Sequence, residues 1–229
     1  MKLAIMQPYF MPYIGYWQLI KAVDIYVVYD DVNYINRGWI NRNRILINDK
    51  EYLFTVALKN ASQNKLINEI EILDDFSKIK KQIDFAYKKA PYYSNSIDLL
   101  NRIFNYSNKN LAEFIFNSIK EVCAYIGVKS KLIKSSNLNK NNSLHAEEKI
   151  LDICRVLNAT EYYNAIGGQS LYDKTEFQNN GVDLKFLKPE LTPYKQFKND
   201  FVAGLSMIDV LMFNSVDEIN MMLDKYKLI

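Results

Sequence analysis

The residues best suited to chemistry lie close together near the start of the chain. Asp30 and Asp31 end an apolar run, and three arginines and a tryptophan follow directly. Two carboxylates at a strand tip can bind a divalent cation or hold an amine, and arginines offer forked donors to phosphate or carboxylate groups. A solvated ion-pair network around a hairpin is the structural alternative. The candidate catalytic residues are Asp30 and Asp31, and the candidate binding residues of this segment are Arg37, Trp39, Asn41, Arg42 and Arg44.

An aromatic turn at residues 7–16 is the second candidate. Its two prolines stiffen the backbone, because each fixes its own φ and pushes the preceding residue towards an extended conformation. Gln and Tyr side chains hydrogen-bond, and aromatic rings can stack on the ring of a ligand. The candidate ligand contacts in this turn are Gln7, Pro8, Tyr9, Phe10, Tyr13 and Tyr16.

A pair of glycines late in the chain is the third candidate. Gly167 and Gly168 follow a predicted strand, and backbone amides without neighbouring side chains can cradle a phosphate. A plain tight turn is the more common explanation of two adjacent glycines. Gln169 and Tyr172, close behind them, are counted with the candidate binding residues.

The elements that position these residues alternate between strands and helices. Apolar runs predict strands at 3–6 and 25–29 with a helix at 14–22 between them. This unit indicates an α/β fold with an open, mostly parallel sheet, in which ligands bind at the carboxyl ends of the strands. A hairpin is predicted around residues 48–50, and three helices at 76–127 form a predicted helical layer or subdomain within a single domain covering 1–229.

The second half of the chain continues the pattern. Strands are predicted at 131–135, 161–164 and 183–187, the last of them being the final strand expected. Ser143 is expected to cap a helix that runs to Leu157. Further helices are predicted at 175–179, 205–213 and 218–226, and Asp209, in an otherwise apolar helix, is expected to have a specific partner.

The composition excludes several classes of protein. The chain has 229 residues, 49% of them hydrophobic, and its formal charge of +3 gives no reason to expect bulk nucleic-acid binding. No apolar run reaches the length of a membrane span, which is about 18 residues, and the first residues do not resemble a secretion signal. We therefore expect a cytoplasmic protein without a membrane span, with Cys123 and Cys154 as buried, reduced thiols.

A single histidine, His145, limits the chemistry further. One chain cannot form a cluster of three histidines or a zinc site with paired histidines, so no metal site is predicted. The position of His145 near a predicted helix start favours a surface or capping role. The motifs G-x-x-x-x-G-K-[ST] and G-x-S-x-G are both missing, which disfavours a Walker-type ATPase and an α/β-hydrolase. The sequence specifies no cofactor.

Four separated motifs together resemble the WbqC-like family of bacterial proteins. They are MQPYFMPYIGYWQLI, DDV followed by NR-W-NRNRI, GG-x-x-x-Y, and LSMIDVLMFN, and they span nearly the whole chain in order. The resemblance implies a setting in O-antigen or other surface-polysaccharide (including lipopolysaccharide) synthesis. It also implies a transfer of glycine or a related acyl group to an amino sugar.

The aromatic turn is also similar to the strand-to-helix loop of nucleotidyltransferases and pantothenate synthetase, F-x-P-x-H-x-G-H. Gly15 matches the glycine of that motif, while Tyr13 and Tyr16 stand where its two histidines would be. This likeness implies a nucleotidyltransferase-like, that is HUP or Rossmann-like, unit at the start of the chain. Tyrosine hydroxyls are poorer cations than histidines, so nucleotide binding is expected to survive better than adenylyl transfer.

Two hypotheses follow for the function. The first is an acyl or aminoacyl transferase that forms an amide on a nucleotide-linked amino sugar, with an adenylate, a thioester or a charged tRNA as the activated donor. The second is a non-catalytic nucleotide-sugar-binding or scaffold protein of the same pathway. A structural partner that uses its aromatic turn as a protein interface is a third reading. A homo-oligomer is compatible with each of them.

Overall fold

A computed structural model describes residues 1–198 and 200–229. Over these residues the chain forms ten strands and eight α-helices. The strands are β1 (Lys2–Met6), β2 (Ile25–Val28), β3 (Arg42–Ile47), β4 (Lys50–Thr55), β5 (Leu58–Lys59), β6 (Glu71–Ile72), β7 (Lys131–Lys134), β8 (Glu161–Ala165), β9 (Asp183–Pro189) and β10 (Tyr226–Leu228). The helices are α1 (Ile14–Lys21), α2 (Ser77–Tyr87), α3 (Tyr93–Phe104), α4 (Leu111–Ile126), α5 (Ala146–Val156), α6 (Lys174–Asn179), α7 (Met207–Phe213) and α8 (Val216–Leu223).

The main sheet has six strands in the order β10-β9-β8-β1-β2-β7. Five of them run parallel, and β10 pairs antiparallel with β9 at one edge. Lysines mark both edges: Lys131 and Lys134 lie at the ends of β7, and Lys227 lies in the middle of β10. The predicted α/β class, with an open, mostly parallel sheet and a Rossmann-like unit at its start, is confirmed.

Helices cover both faces of this sheet because the buried strands are apolar on both sides. On one face, Leu3 and Ile5 of β1 pack in a core with Ile153 of α5 and Phe177 of α6. On the other face, Ala4 belongs to a larger core that includes residues of α1, α2, α3, α4, α7 and α8. The predicted helical layer at 76–127 is present as α2–α4, whereas the assignment of the whole chain to one domain stays a prediction.

The ends of two elements follow from local residue chemistry. Helix α4 begins where the side chain of Asn110 accepts a hydrogen bond from the Glu113 amide, and it ends at Gly127, which has a φ of 75°. The hairpin of β3 and β4 turns at Asn48 and Asp49, whose φ angles are 50° and 62°. Positive φ at both turn residues is the type I′ geometry that suits a two-residue hairpin loop.

Two predictions about local structure are wrong. The segment at 218–226 is not helical throughout, because α8 ends at Leu223 and Tyr226 begins the edge strand β10, after the strand expected to be last. Ser143 does not cap α5: His145 is the N-cap residue, without a side-chain capping bond. The Ser143 hydroxyl and amide both donate to the Asn141 side chain instead.

Cys123 and Cys154 are buried, free thiols, as expected. In the part of the chain that the structure describes, none of the helices has the length and apolar character that crossing a membrane requires.

Candidate functional site

The order of the main sheet reverses at β1. The chain runs from β1 to β2 and β7 on one side, and then returns to β8 and β9 on the other side. In open α/β sheets, ligands bind outside the carboxyl ends of the strands at such a reversal. Continuing the register of β1 with its two neighbours places Gln7 level with Tyr29 and Ile166. The aromatic turn, the acidic tip and the glycine pair therefore all leave the sheet at this edge.

Two aromatic residues of the turn are core residues. Phe10 is fully buried and its ring packs 5.3 Å from that of Phe114, measured between ring centres. Tyr16 is 4% exposed, and its hydroxyl donates to the Gln7 carbonyl over 2.9 Å. Pro8 is buried as well. These three side chains pack beneath the turn in the protein interior, so they are not available to contact a ligand.

Three other residues of the turn, Tyr9, Pro12 and Tyr13, meet the arginine segment in one pocket, whereas Gln7 does not line it. The aromatic–arginine pocket, as we call it, has a volume of about 270 Å³. Its residues come from the turn, from the start of the hairpin, and from the segment before α7: Tyr9, Pro12, Tyr13, Trp39, Asn43, Arg44, Leu191 and Gly204. The aromatic turn and the arginine segment therefore line one pocket, without the acidic tip.

Trp39 and Arg44 supply the aromatic ring and the positive charge of this pocket. The Trp39 side chain is exposed, and the guanidinium carbons of Arg42 and Arg44 lie 5.8 and 5.4 Å from its ring centre. Arg44 Nη1 lies 2.6 Å from a Glu51 carboxylate oxygen. Arg44 Nε has no hydrogen-bond partner in the described part of the chain. A planar ring beside a guanidinium suits a ligand that combines a flat ring with a phosphate or carboxylate.

Hydrogen bonds hold the two walls of the pocket together. Asn43 Nδ2 donates to the carbonyls of Phe10 and Met11, over 3.2 and 2.7 Å. Ser206 Oγ donates to the same Met11 carbonyl over 2.7 Å, and the Ser206 amide donates to the Arg44 carbonyl over 2.9 Å. The turn, the hairpin and the start of α7 are therefore fixed relative to one another.

The tyrosines of the pocket are neutral hydrogen-bonding groups. Burial raises the pKa of the Tyr9 hydroxyl, with a smaller contribution from neighbouring Tyr13, and burial also raises the pKa of Tyr13. Both phenols therefore stay protonated at neutral pH, and each can donate one hydrogen bond to a ligand.

Three predicted binding residues of the arginine segment do not line this pocket. Asn41 is buried, where its Oδ1 accepts from the Tyr34 hydroxyl over 2.8 Å and its Nδ2 donates to the Val56 carbonyl over 2.8 Å. Arg42 Nε donates to the Gly38 carbonyl over 2.8 Å, which orients the guanidinium beside Trp39. Arg37 is exposed, with a φ of 59°.

The acidic tip of β2 faces a different cavity. Asp30 is buried, and its two carboxylate oxygens accept from the amide and the hydroxyl of Ser136 over 2.9 and 2.6 Å. Asp31 Oδ2 accepts from Lys140 Nζ over 2.5 Å, while its Oδ1 has no partner in the described residues. Asp31, Tyr29, His145 and Lys149 are among the residues that line this acidic-tip cavity, which has a volume of about 540 Å³.

The glycine pair lies at the end of β8, outside both cavities. Gly167 and Gly168 belong to a 3-10 turn at Ile166–Leu171, and Gln169 is exposed. A Cβ atom at Gly168 would lie 2.8 Å from the Asn164 side-chain nitrogen, so a larger residue there would require the Asn164 side chain to shift. The Tyr172 ring packs edge-on against Tyr162 at 6.1 Å between centres.

The sequence model of the WbqC-like protein family matches residues 7–221, which include the turn, the arginine segment and the end of α7. The chain belongs to the WbqC-like protein family. Membership of this family suggests a polysaccharide-associated role. The chain is also similar to the "Uncharacterized protein Rv1507c" of Mycobacterium tuberculosis, at 27% identity over 218 residues and 93% of each chain. No solved structure matches it.

In this WbqC-like protein, sequence reasoning missed the far wall of the pocket. Leu191 and Gly204 come from the segment before α7 and carry no catalytic signature. The available signal was Asp209 in the apolar motif LSMIDVLMFN. It accepts from the Tyr194 hydroxyl over 2.6 Å and from Gln196 Nε2 over 2.8 Å, so it ties this segment to α7. Among residues 1–198 and 200–229, no group of three or more His, Cys, Asp or Glu side chains could hold a metal ion.

Proposed function

We propose that the protein is an acyl or aminoacyl transferase that forms an amide on a nucleotide-linked amino sugar during surface-polysaccharide synthesis. One observation carries the proposal: Tyr13, Trp39 and Arg44 line a single pocket beside the carboxyl edge of a parallel sheet. Trp39 would stack on the base or the sugar, Arg44 would bind the diphosphate, and the tyrosine hydroxyls would hydrogen-bond the ligand.

For the acidic tip to take part in the reaction, the amino sugar must extend from the aromatic–arginine pocket to the separate acidic-tip cavity at the same edge of the sheet. An ammonium must lose a proton before it can attack a carbonyl, and a carboxylate can accept that proton. The amine nitrogen would then form a bond to the acyl carbon, and the bond from that carbon to the oxygen or sulfur of the activated donor would break. Asp31 fits the role of base, because its Oδ1 has no partner among the described residues. Asp30, with both oxygens bound to Ser136, fits a positioning role.

The second candidate is a non-catalytic nucleotide-sugar-binding or scaffold protein. Its support is that the chain's own residues already engage both aspartates, Asp30 through Ser136 and Asp31 through Lys140. The aromatic–arginine pocket would then bind the ligand without turnover.

A thermal-shift assay with a panel of nucleotide-linked amino sugars tests the binding step. A ligand at a hundred times its dissociation constant stabilises a protein by about 2.7 kcal/mol, which raises Tm by about 5–10 °C for a chain of this size. We expect such a shift with one nucleotide class and its loss in Arg44→Ala and Trp39→Ala. Arg37→Ala is the matched control, because Arg37 is exposed and does not line the pocket. Equal shifts in all three variants would contradict the assignment of the pocket.

Mass spectrometry of the sugar product tests the chemistry with an adenylate, a thioester and a charged tRNA as donors. We expect Asp31→Asn to abolish amide formation while the thermal shift persists. A shift without product for any donor would support the binding protein over the transferase.

A further inference from the structure

One large cavity lies away from the candidate site. It is a groove of about 1120 Å³ between α2, the tip of the β3–β4 hairpin and the residues around α7 and α8. Leu46, Pro91 and Phe213 contribute apolar atoms to it. Leu46 lies two residues along β3 from Arg44, so the groove and the aromatic–arginine pocket share a strand without sharing a lining residue.

One large apolar side chain stands at the edge of this groove. Phe85, on α2, is 68% exposed, and it lines both the groove and a neighbouring cavity of about 340 Å³. Isolated apolar residues on a protein surface are ordinary. Here, however, a protruding aromatic ring lies beside an apolar groove, so one surface patch contains both a projecting side chain and a groove that could accept one. Such a patch is complementary to itself under a two-fold rotation.

The charges around the groove indicate which partner it fits. The groove is lined by charged residues of both signs: Lys88, Lys89, Lys195 and Lys198, and Asp49, Asp84 and Glu218. A partner of a single sign, such as an acidic helix or an anionic membrane surface, would meet like charges on part of this lining. A second copy of the same chain brings both signs, and a two-fold rotation can set each sign opposite the other.

We propose that two copies of the chain associate through this face about a two-fold axis, with Phe85 of each copy inserted into the groove of the other. Each copy contributes the same residues to such an interface, and the aromatic ring at its centre would be the main anchor. The aromatic–arginine pockets remain open, because none of their lining residues belongs to the groove. The inference does not depend on the proposed function.

Sedimentation velocity and light scattering of the full chain, over a series of concentrations, test this proposal. We expect a species of twice the chain mass of 26.8 kDa for the wild type. Phe85→Asp should raise the dimer dissociation constant by about 30-fold or more, since a central anchor typically carries that much affinity. Phe85→Trp gives a second readout, because the emission of a tryptophan at this site should shift to shorter wavelength as the dimer forms.

Leu171→Asp is the matched control, because Leu171 is 69% exposed and does not line the groove. It should leave the dimer intact. Both substituted side chains are exposed, so unchanged circular dichroism and melting should verify that each variant folds. A wild type that stays monomeric at about 200 µM, well above the micromolar range of specific association, would overturn the proposal. A dimer that Phe85→Asp does not weaken would overturn it equally.

Discussion

Replacing Asp209 by alanine should destabilise the fold more than most single substitutions. Asp209 is fully buried, and its carboxylate accepts hydrogen bonds from the Tyr87 hydroxyl (2.7 Å), the Tyr194 hydroxyl (2.6 Å) and Gln196 Nε2 (2.8 Å). Each buried donor left without a partner costs about 1–3 kcal/mol, and the loss of the carboxylate's own desolvation penalty offsets part of that sum. We therefore expect a loss of about 3–4 kcal/mol in the free energy of unfolding, measured by urea denaturation.

Asp209→Asn is the matched variant, since it keeps one acceptor oxygen and the same shape. Its amide can donate to the Tyr87 hydroxyl, whose oxygen already accepts from the Leu46 amide at 3.0 Å. We expect a cost of about 1 kcal/mol, as for one hydrogen bond made less well. If Asp209→Ala lowers the free energy of unfolding no more than Asp209→Asn does, the hydrogen bonds of Asp209 do not stabilise this region, and the reasoning is refuted.

The pH dependence of the Asp209→Asn effect follows from the burial of the carboxyl. Burial raises the pKa of Asp209 above its ordinary value, while the hydrogen bonds from Tyr194, Gln196 and Tyr87 oppose that shift. A raised pKa means that the folded chain binds the proton more tightly than the unfolded chain. The tighter binding of this proton contributes to the free energy of unfolding. The contribution has its full value below the unfolded pKa of about 3.9, and it is lost as the pH rises through the folded pKa.

The asparagine variant has no proton to lose at this position. The advantage of the wild type over Asp209→Asn should therefore shrink as the pH is raised from about 4, in urea denaturation repeated across a pH series. A constant or growing difference would contradict the raised pKa.

Three further predictions concern the core and the acidic tip. Lys140→Met should cost about 3–5 kcal/mol in urea denaturation, because it leaves the carboxylate of Asp31 without its buried partner; a cost below about 1 kcal/mol would show that the pair is not needed. Phe114→Ala should cost about 3–5 kcal/mol by the same measurement, since the ring is buried in the largest core, and a much smaller value would mean that this core collapses around the cavity. Burial raises the pKa of Cys123 and Cys154 to about 12, so a thiol reagent at neutral pH should label them only in denaturant, and rapid labelling of the folded chain would refute their burial.

Features encoded by neighbouring residues could be predicted from the sequence. Apolar periodicity and the stop at Gly127 gave α4 its observed ends, Leu111 and Ile126. The turn at Asn48 and Asp49 was predictable because these two residue types tolerate positive φ.

Features decided by distant residues could not be predicted in the same way. Whether Tyr226 ends a helix or begins a strand depends on its pairing with Pro189 of β9. Ser143 could have capped α5, but the nearby Asn141 side chain takes its hydrogen bonds.

The candidate site likewise contains parts that could be predicted from the sequence and parts that could not. Tyr13, Trp39 and Arg44 were each candidate binding residues from the sequence, and they line one pocket. That Leu191 and Gly204 complete it depends on the hydrogen bonds of Asp209 with Tyr194 and Gln196. The apolar motif around Asp209 indicates that it has a partner but does not say which residues the partners are. The acidic tip leaves the same edge of the sheet but lines a separate cavity, since Ser136 and Lys140, which follow β7, engage its two carboxylates.

The lysines at the two edges of the main sheet have a consequence for handling the protein. A strand edge with unpaired amides and carbonyls invites another chain to add a strand, and lysine side chains discourage such addition. Lys131, which is exposed, protects the edge at β7, and Lys227, whose side chain is 73% exposed, protects the edge at the short β10. Fibrillar growth by edge-to-edge pairing is thereby opposed at both ends of the sheet, which should keep concentrated solutions clear.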